Sequence, residues 1–388
     1  MKIAVIGQGY VGLPLAKAAA DAGHNVFGFD INSELIAQLG VSEANTPNYT
    51  PTADSKTIMG CDIYIIAVPT PLDVNNKPDL SYLKSAANLI GKVAKDSALI
   101  VNESTSYPGT LREIVEATIS SINKAKLLYA AAPERIDPAN TQWSIKLTPR
   151  VIAGLTDTAT EKTFEFYKSF CDHVQKVSSP EVAEASKLLE NTFRQVNIAL
   201  VNEFAQIAEK FGISANEVIN AAATKPFGFM KFTPSLGVGG HCIPIDPIYL
   251  EQKAESLGIT ATFIKQATKV NQNMPLYIVD RLAKILGNNL KDKKICIVGL
   301  SYKKDVADLR QSPSVELWKE LERRGCVVTF HDEIVKSFNK SHSVALDKST
   351  FDLAVVGVRH TELDIDKLKS CASYIFDCTG SIAGLPTL

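Results

Sequence analysis

The stretch Pro234-Ser-Leu-Gly-Val-Gly-Gly-His-Cys-Ile-Pro-Ile-Asp-Pro247 places one thiol, Cys242, in a loop of glycines and prolines. A carboxylate, Asp246, follows four residues on. Gly237, Gly239 and Gly240 let the backbone take φ > 0 or approach a ligand closely. Pro244 and Pro247 stiffen what comes after. A thiolate is a strong nucleophile once its pKa is lowered, so a rigid cysteine beside an acid suits covalent catalysis. An isolated cysteine is more often a small apolar residue packed under a turn. What tips the balance is the other end of the chain.

Lys2 to Ile6 is a short apolar run that reads as a buried strand. Gly7-Gln-Gly9-Tyr-Val-Gly12 follows directly, and a helical pattern runs from Leu13 to Ala22. In that order Gly7 allows the tight turn, Gly9 lets a pyrophosphate approach the backbone, and Gly12 lets helix and strand pack closely. The diphosphate then meets unpaired N–H groups at a helix N-terminus. A second strand, Asn25 to Phe29, ends at Asp30. Its carboxylate accepts hydrogen bonds from ribose hydroxyls and repels a 2′-phosphate, which predicts NAD rather than NADP.

The elements that must position these groups fall into three regions. Residues 1–177 alternate strands with helices. Cys61 to Val68 ends in Pro69-Thr70-Pro71, Ala98 to Asn102 ends in Glu103-Ser-Thr105, and Leu127 to Ala132 ends in Pro133-Glu134-Arg135. Ligands of a doubly wound sheet bind beyond the carboxyl ends of its strands, so all three polar clusters point at one cofactor crevice. Residues 178–273 are helical. From Pro180 to Phe211 no Gly or Pro interrupts an apolar repeat, and at ~1.5 Å per residue this helix spans ~45 Å. Glu184, Lys187, Asn191 and Arg194 share one face of it, with Glu203 further along. That row is either a solvated charged face or a ligand-facing one. Residues 274–388 hold a second, smaller α/β unit. In it Gly299-Leu-Ser-Tyr-Lys303 and Asp308-Leu-Arg310 follow the strand Lys294 to Val298. Lys303 and Arg310 suit phosphate or carboxylate recognition.

Composition excludes several classes. The 388 residues allow two or three domains with real cores. A net charge of −1 offers no broad basic field for nucleic acid or a membrane surface. The N-terminus reads as strand rather than signal peptide, and no apolar run is long enough to span a bilayer. Seven cysteines without a Cys-x-x-Cys pair predict a reducing cytoplasm, no disulfide framework and no metal site.

End to end, these motifs resemble the nucleotide-sugar 6-dehydrogenases, which oxidise UDP- or GDP-sugars to uronic acids. Gly7 to Gly12, Val68-Pro-Thr-Pro71, Glu103-Ser-Thr105, Pro133-Glu-Arg135, Lys187 with Asn191, Gly239 to Pro247, Gly299 to Lys303 and Asp308-Leu-Arg310 carry the resemblance. Pro133-Glu-Arg-Ile-Asp-Pro138 and Lys225-Pro-Phe-Gly-Phe-Met230 look like the bacterial UDP-N-acetylglucosamine 6-dehydrogenase branch. That ranks the sugars UDP-N-acetylglucosamine, UDP-N-acetylmannosamine, then UDP-glucose. The resemblance implies an α/β fold of two Rossmann-like doubly wound domains joined by a long central helix, a homodimer built on that helix, and a role in surface polysaccharide precursor synthesis. The chain departs from the pattern in a short segment between Asp30 and Cys61, in Gln8, and in Ala132 and Ala139 beside the Pro-Glu-Arg motif. Asp137 is the nearest candidate for a second acid after that motif, and it is not given the role.

What the resemblance implies for residues is specific. Cys242 captures the C6 aldehyde, and Lys187 stabilises the oxyanion. Asp246 and Asn191 position water or handle protons, and Thr105 and Glu134 hold water or transfer protons. Gly7, Gly9, Tyr10, Val11, Gly12, Asp30, Thr70, Thr105 and Arg310 face NAD. Arg135, Lys187, Asn191, Arg194, Gly239 and Lys303 face the UDP-sugar. Two other readings stay open. A single-step hydroxyacid-type dehydrogenase would not need Cys242 and would survive thiol alkylation. A nucleotide-binding regulator with a decayed site would give a flat NADH trace on any sugar nucleotide.

Overall fold

The computed structural model describes residues 1–136, 140, 142–347 and 350–388. Asp137 and Ala139 lie outside the described residues. The chain forms two compact units, Met1–Glu190 with Ile248–Ile259, and Asn191–Pro247 with Thr260–Leu388.

The first unit alternates strands and helices: β1 (Lys2–Ile6), α1 (Gly12–Asp21), β2 (Asn25–Phe29), α2 (Ser33–Ser42), β3 (Tyr49–Thr52), β4 (Ile63–Ile66), α3 (Ser81–Val93) and β5 (Leu99–Asn102). A π-helical turn, Leu111–Glu116, leads into α4 (Ala117–Ile122). Then come β6 (Leu128–Ala131), β7 (Arg150–Gly154), α5 (Asp157–Lys168), β8 (Val174–Lys176) and the long α6 (Pro180–Phe211). Among the described residues the strands order as β3-β2-β1-β4-β5-β6-β7-β8. All neighbours are parallel except β6 with β7. The first six strands have the doubly wound dinucleotide-binding order, with its switch point between β1 and β4. Strand residues alternate between the two faces: Ala4 and Ile6 join one apolar core, Ile3 and Val5 the other.

The second unit holds α7 (Ala215–Ala222), the glycine-rich loop around Cys242, and α9 (Thr262–Ile285), while α8 (Asp246–Ser256) and α6 each pass from one unit to the other. Its sheet is built from β9 (Lys294–Val298), β10 (Val327–His331), β13 (Leu353–Val356) and β14 (Ile375–Asp377) in the order β10-β9-β13-β14, all parallel. Helices α10 (Pro313–Arg323) and α11 (Ile365–Cys371) belong to it, and β11 (Ser337–Phe338) pairs with β12 (Ser341–His342). Ile295 and Ile297 face one core, Cys296 and Val298 the other. The architecture is thus two Rossmann-like α/β units and a long central helix. No helix among the described residues is long and apolar enough to cross a membrane.

Helix α6 has the bounds its uninterrupted pattern predicts and stops at Gly212, which takes φ +69°. Its apolar residues form two stripes. Ala183, Leu188, Ala205 and Ala208 are buried, whereas Leu189, Phe193, Leu200 and Ile207 are exposed. The expected polar row is also split. Glu184, Lys187 and Asn191 are buried, whereas Arg194 and Glu203 face solvent.

Candidate active site

The glycine turn after β1 is dictated by close contacts. Gly7 takes φ +95°, and a Cβ there would lie 2.5 Å from the Ala67 carbonyl oxygen. A Cβ on Gly12 would lie 1.8 Å from the Gly7 oxygen. Gly9 is different: nothing lies within 4 Å of its missing Cβ, so the backbone is bare there. That is the cradle a diphosphate needs, and α1 begins at its edge. Val11 caps α1, and Tyr10 stands exposed beside Gly9. Asp30, after β2, accepts from Gln8 N–H at 2.9 Å and Asn32 N–H at 2.9 Å. Each oxygen keeps a lone pair for a ribose hydroxyl. The residues present fit NAD. Thr70 is buried after β4, at the switch point.

Gln8, where the resemblance leads one to expect a small or apolar residue, has a structural role. Its side chain is buried, accepts from Tyr49 Oη at 2.8 Å, and donates to the Val5 and Gly7 carbonyls at 2.9 Å each. The short segment after Asp30 brings Tyr49 of β3 to this point, and Gly28 is needed beneath it. A Cβ on Gly28 would lie 2.4 Å from Gln8 Oε1.

Thr105 is half-buried beyond β5, and Glu134 is buried beyond β6. Lys187 brings its ammonium to 4.0 Å from Glu134 Oε2. Arg135 is engaged by Glu190 at 2.6 Å and donates to the Pro149 carbonyl at 2.9 Å. Glu103 turns into the core instead of toward the crevice. Glu184, one turn before Lys187, accepts N–H bonds from Gly109 at 2.6 Å and Leu111 at 2.9 Å, where the π-helical turn starts. Sequence reading missed this cap. Its only signal is an acid on the same face as Lys187.

In the second unit the cysteine loop is a packed turn. Cys242 is exposed, and its carbonyl accepts from Ile245 N–H at 3.1 Å and Asp246 N–H at 2.9 Å. Asp246 opens α8 and is buried. Asn191 donates Nδ2 to Asp246 Oδ2 at 2.6 Å. The three glycines serve packing as much as approach. Gly237 and Gly240 take φ +135° and +86°. A Cβ on Gly239 would lie 2.7 Å from Tyr302 Cβ, and one on Gly240 would lie 2.6 Å from the Tyr302 ring. Gly240 N–H donates to the Arg310 carbonyl at 3.0 Å. The Arg310 guanidinium is held by Asp308, Nη2 to Oδ2 at 2.6 Å. Burial, then the Arg310 charge, lowers the His241 pKa, against the opposing pull of Asp308. Lys303 lies half-buried in the loop after β9. None of the seven cysteines is in a disulfide.

Fold and turn together define a dinucleotide-binding α/β protein that also carries a second Rossmann-like unit. Models of the UDP-glucose/GDP-mannose dehydrogenase family match it throughout: the NAD binding domain over residues 1–171, the central domain over 181–273 and the UDP binding domain over 296–383. Protein CapL of Staphylococcus aureus is 35% identical over 97% of this chain and 93% of its own. The UDP-N-acetyl-D-glucosamine 6-dehydrogenase of Pseudomonas aeruginosa is 32% identical over 97% of this chain and 96% of its own. The solved structure of a UDP-D-ManNAc dehydrogenase from Pyrococcus horikoshii superposes with a TM-score of 0.90 at 30% identity, covering 100% of this chain and 97% of that one. The chain belongs to the UDP-glucose/GDP-mannose dehydrogenase family and is an NAD-dependent nucleotide-sugar 6-dehydrogenase.

Proposed function

We propose that the enzyme oxidises the C6 hydroxyl of a UDP-N-acetylhexosamine, UDP-N-acetylglucosamine first, to the uronic acid used in surface polysaccharide. The Pseudomonas relative carries that activity in its name and matches nearly the whole chain. The Pyrococcus structure favours UDP-N-acetylmannosamine as the second reading. One observation carries the chemistry: an exposed Cys242 on a turn whose Asp246 is fixed by Asn191.

NAD, when bound, accepts a hydride from C6 twice, one molecule for each oxidation, and the glycine turn with Asp30, Tyr10, Val11, Thr70, Thr105 and Arg310 would hold it. The C6 hydroxyl gives its proton to a water held by Thr105 and Glu134 as the carbon becomes an aldehyde. The Cys242 thiolate adds to that carbon and forms a thiohemiacetal, whose oxygen takes up a proton. Lys187 stabilises the oxyanion that develops at each addition. Loss of the second hydride and of the hydroxyl proton leaves a thioester on Cys242. Water, oriented by Asp246 and Asn191, attacks it and gives up its protons through Asp246 to solvent. The C–S bond breaks, the thiolate is regenerated and the carboxylate departs. Arg135, Arg194, Gly239 and Lys303 recognise the nucleotide sugar.

We propose a homodimer as the working form. The exposed stripe Leu189, Phe193, Leu200 and Ile207 on α6 recurs at helical spacing and suits a second copy of the chain. A cytoplasmic setting fits a thiol that must stay reduced. NADH release against a panel of UDP-glucose, UDP-N-acetylglucosamine, UDP-N-acetylmannosamine and GDP-mannose, with product mass, tests the reading. Turnover of UDP-glucose alone, or of no member, contradicts it.

A further inference from the structure

Glu103 follows β5 inside a motif that reads as polar and crevice-facing, yet it is 1% exposed. A carboxylate buried so deeply is destabilising unless it is paired and hydrogen-bonded. Two donors meet it. Arg150, the first residue of β7, places Nη1 3.0 Å from Glu103 Oε2. The Tyr167 hydroxyl, on α5, donates to Glu103 Oε1. Arg150 and Tyr167 are themselves buried, and the guanidinium carbon stands 5.0 Å from the Tyr167 ring centroid. Burial alone would lower the Arg150 pKa. Glu103, then Tyr167 and Glu134, outweigh it and raise it, so the cation is firmly held. Burial, the largest effect, raises the Glu103 pKa, and the Arg150 charge and the Tyr167 hydrogen bond work against it. The direct Arg150 contact at 3.0 Å is the reason to read the pair as ionised.

The cluster sits where the reaction's candidate groups leave the sheet. Ala132 N–H donates to the Asn102 carbonyl at 2.9 Å, and Glu134 N–H donates to the Glu103 carbonyl at 3.3 Å. Thr105 is two residues past Glu103, and Glu134 follows β6. Two buried ion contacts, Glu103 with Arg150 and Glu134 with Lys187, therefore meet in this region, and Arg150 Nη1 also reaches the Ala132 carbonyl at 3.5 Å, two residues before Glu134. Apolar residues of like volume would serve stability as well as a buried ion pair does. A pair kept here points to geometry and charge placement instead.

We propose that Glu103, Arg150 and Tyr167 are positioning residues for the oxidation: they fix the two loops that carry Thr105 and Glu134, and Arg150 supplies a positive charge against the Glu134 carboxylate. The proposal rests on the reading of Glu134 as a catalytic group. Among the described residues, Lys187 from α6 stands 4.0 Å from that carboxylate, Arg150 from β7 couples to it, and the Glu103 carbonyl accepts from the Glu134 backbone N–H.

The test is the pH profile of kcat, with KM for NAD and sugar, in Glu103→Gln, Arg150→Met, Arg150→Lys, Tyr167→Phe and Glu134→Gln. Arg150→Met removes a cation, so the acid limb moves to higher pH. Glu103→Gln removes an anion, so the limb moves to lower pH, each by about one pH unit. Arg150→Lys keeps the limb in place but lowers kcat about tenfold, because the guanidinium fork is lost while the charge stays. Tyr167→Phe lowers kcat several-fold with KM unchanged. If Arg150→Met does not fold, the other variants carry the test. Folded Glu103→Gln with an unmoved limb, or limbs that move the same way in Glu103→Gln and Arg150→Met, overturns the charge claim. Full kcat in both Tyr167→Phe and Arg150→Lys overturns the positioning claim. Glu134→Gln separates the two readings: a wild-type profile there removes Glu134 from catalysis, whatever the cluster variants do.

Discussion

Glu184 sets two forces against each other, and their balance can be measured. The carboxyl is buried and accepts N–H bonds from Gly109 and Leu111 at the start of the π-helical turn. Burial raises its pKa, the two N–H donors lower it, and the Glu181 and Glu113 charges raise it again, to about 7. The folded protein then holds the proton more tightly than the unfolded chain does. The stabilisation is fully present below the ordinary value near 4.5, falls as pH rises, and is gone above about 7. Across that window the loss is about 3 kcal/mol, at about 1.4 kcal/mol per pH unit. Glu184→Gln keeps the shape and removes the titration. Urea unfolding of both proteins at a series of pH values isolates the effect, since titrating groups that do not interact with Glu184 cancel in the difference, leaving only its coupling to Glu181 and Glu113. Wild-type stability relative to the variant should fall by about 3 kcal/mol between pH 4.5 and 7.5. A constant difference, or one that grows in favour of wild type with pH, would refute the reasoning. It would mean that two backbone N–H bonds outweigh burial.

Gln8→Leu should destabilise the first unit by about 2–3 kcal/mol, because the Tyr49 hydroxyl and two carbonyls lose their buried partner. A thermal-unfolding cycle with Tyr49→Phe should show coupling of about 1 kcal/mol, and additive effects would contradict the contact. Gly7→Ala, with its Cβ 2.5 Å from the Ala67 oxygen at φ +95°, should raise KM for NAD at least about tenfold. Unchanged NAD kinetics would show that this turn does not shape the cofactor cradle. Leu200→Glu should convert a dimer to monomer in sedimentation, and a monomeric wild type would end the proposal for the α6 stripe.

Much of this arrangement was legible where local rules act alone. Gly7, Gly9 and Gly12 sit between a strand and a helix, and Asp30 closes the next strand. Each constraint spans few residues, so spacing reveals it. The run from Pro180 to Phe211 holds no breaker, and Gly212 ends it. Long-range pairing was not legible. Arg150 meets Glu103 across 47 residues, and nothing in either segment announces the other. Strand β3 carries Pro51, which argues against a strand, but it sits at the sheet edge. Likewise, α9 continues through Pro275, where a break reads naturally from sequence. Pro275 is buried in that helix, and the missing N–H leaves the Asn271 carbonyl turned toward Gly237. Arg194 shares a face with Asn191 by spacing yet is exposed, because the buried polar row continues through Gln195 and Asn202 instead.

The measurement that bears most directly on the account is the ratio of NADH formed to UDP-N-acetylglucosamine consumed, with the sugar limiting. Capture of the aldehyde by Cys242 and a second hydride transfer require two NADH per sugar and a uronic acid product, with Cys242→Ser unable to reach the acid. One NADH per sugar, or full acid production by Cys242→Ser, would contradict it.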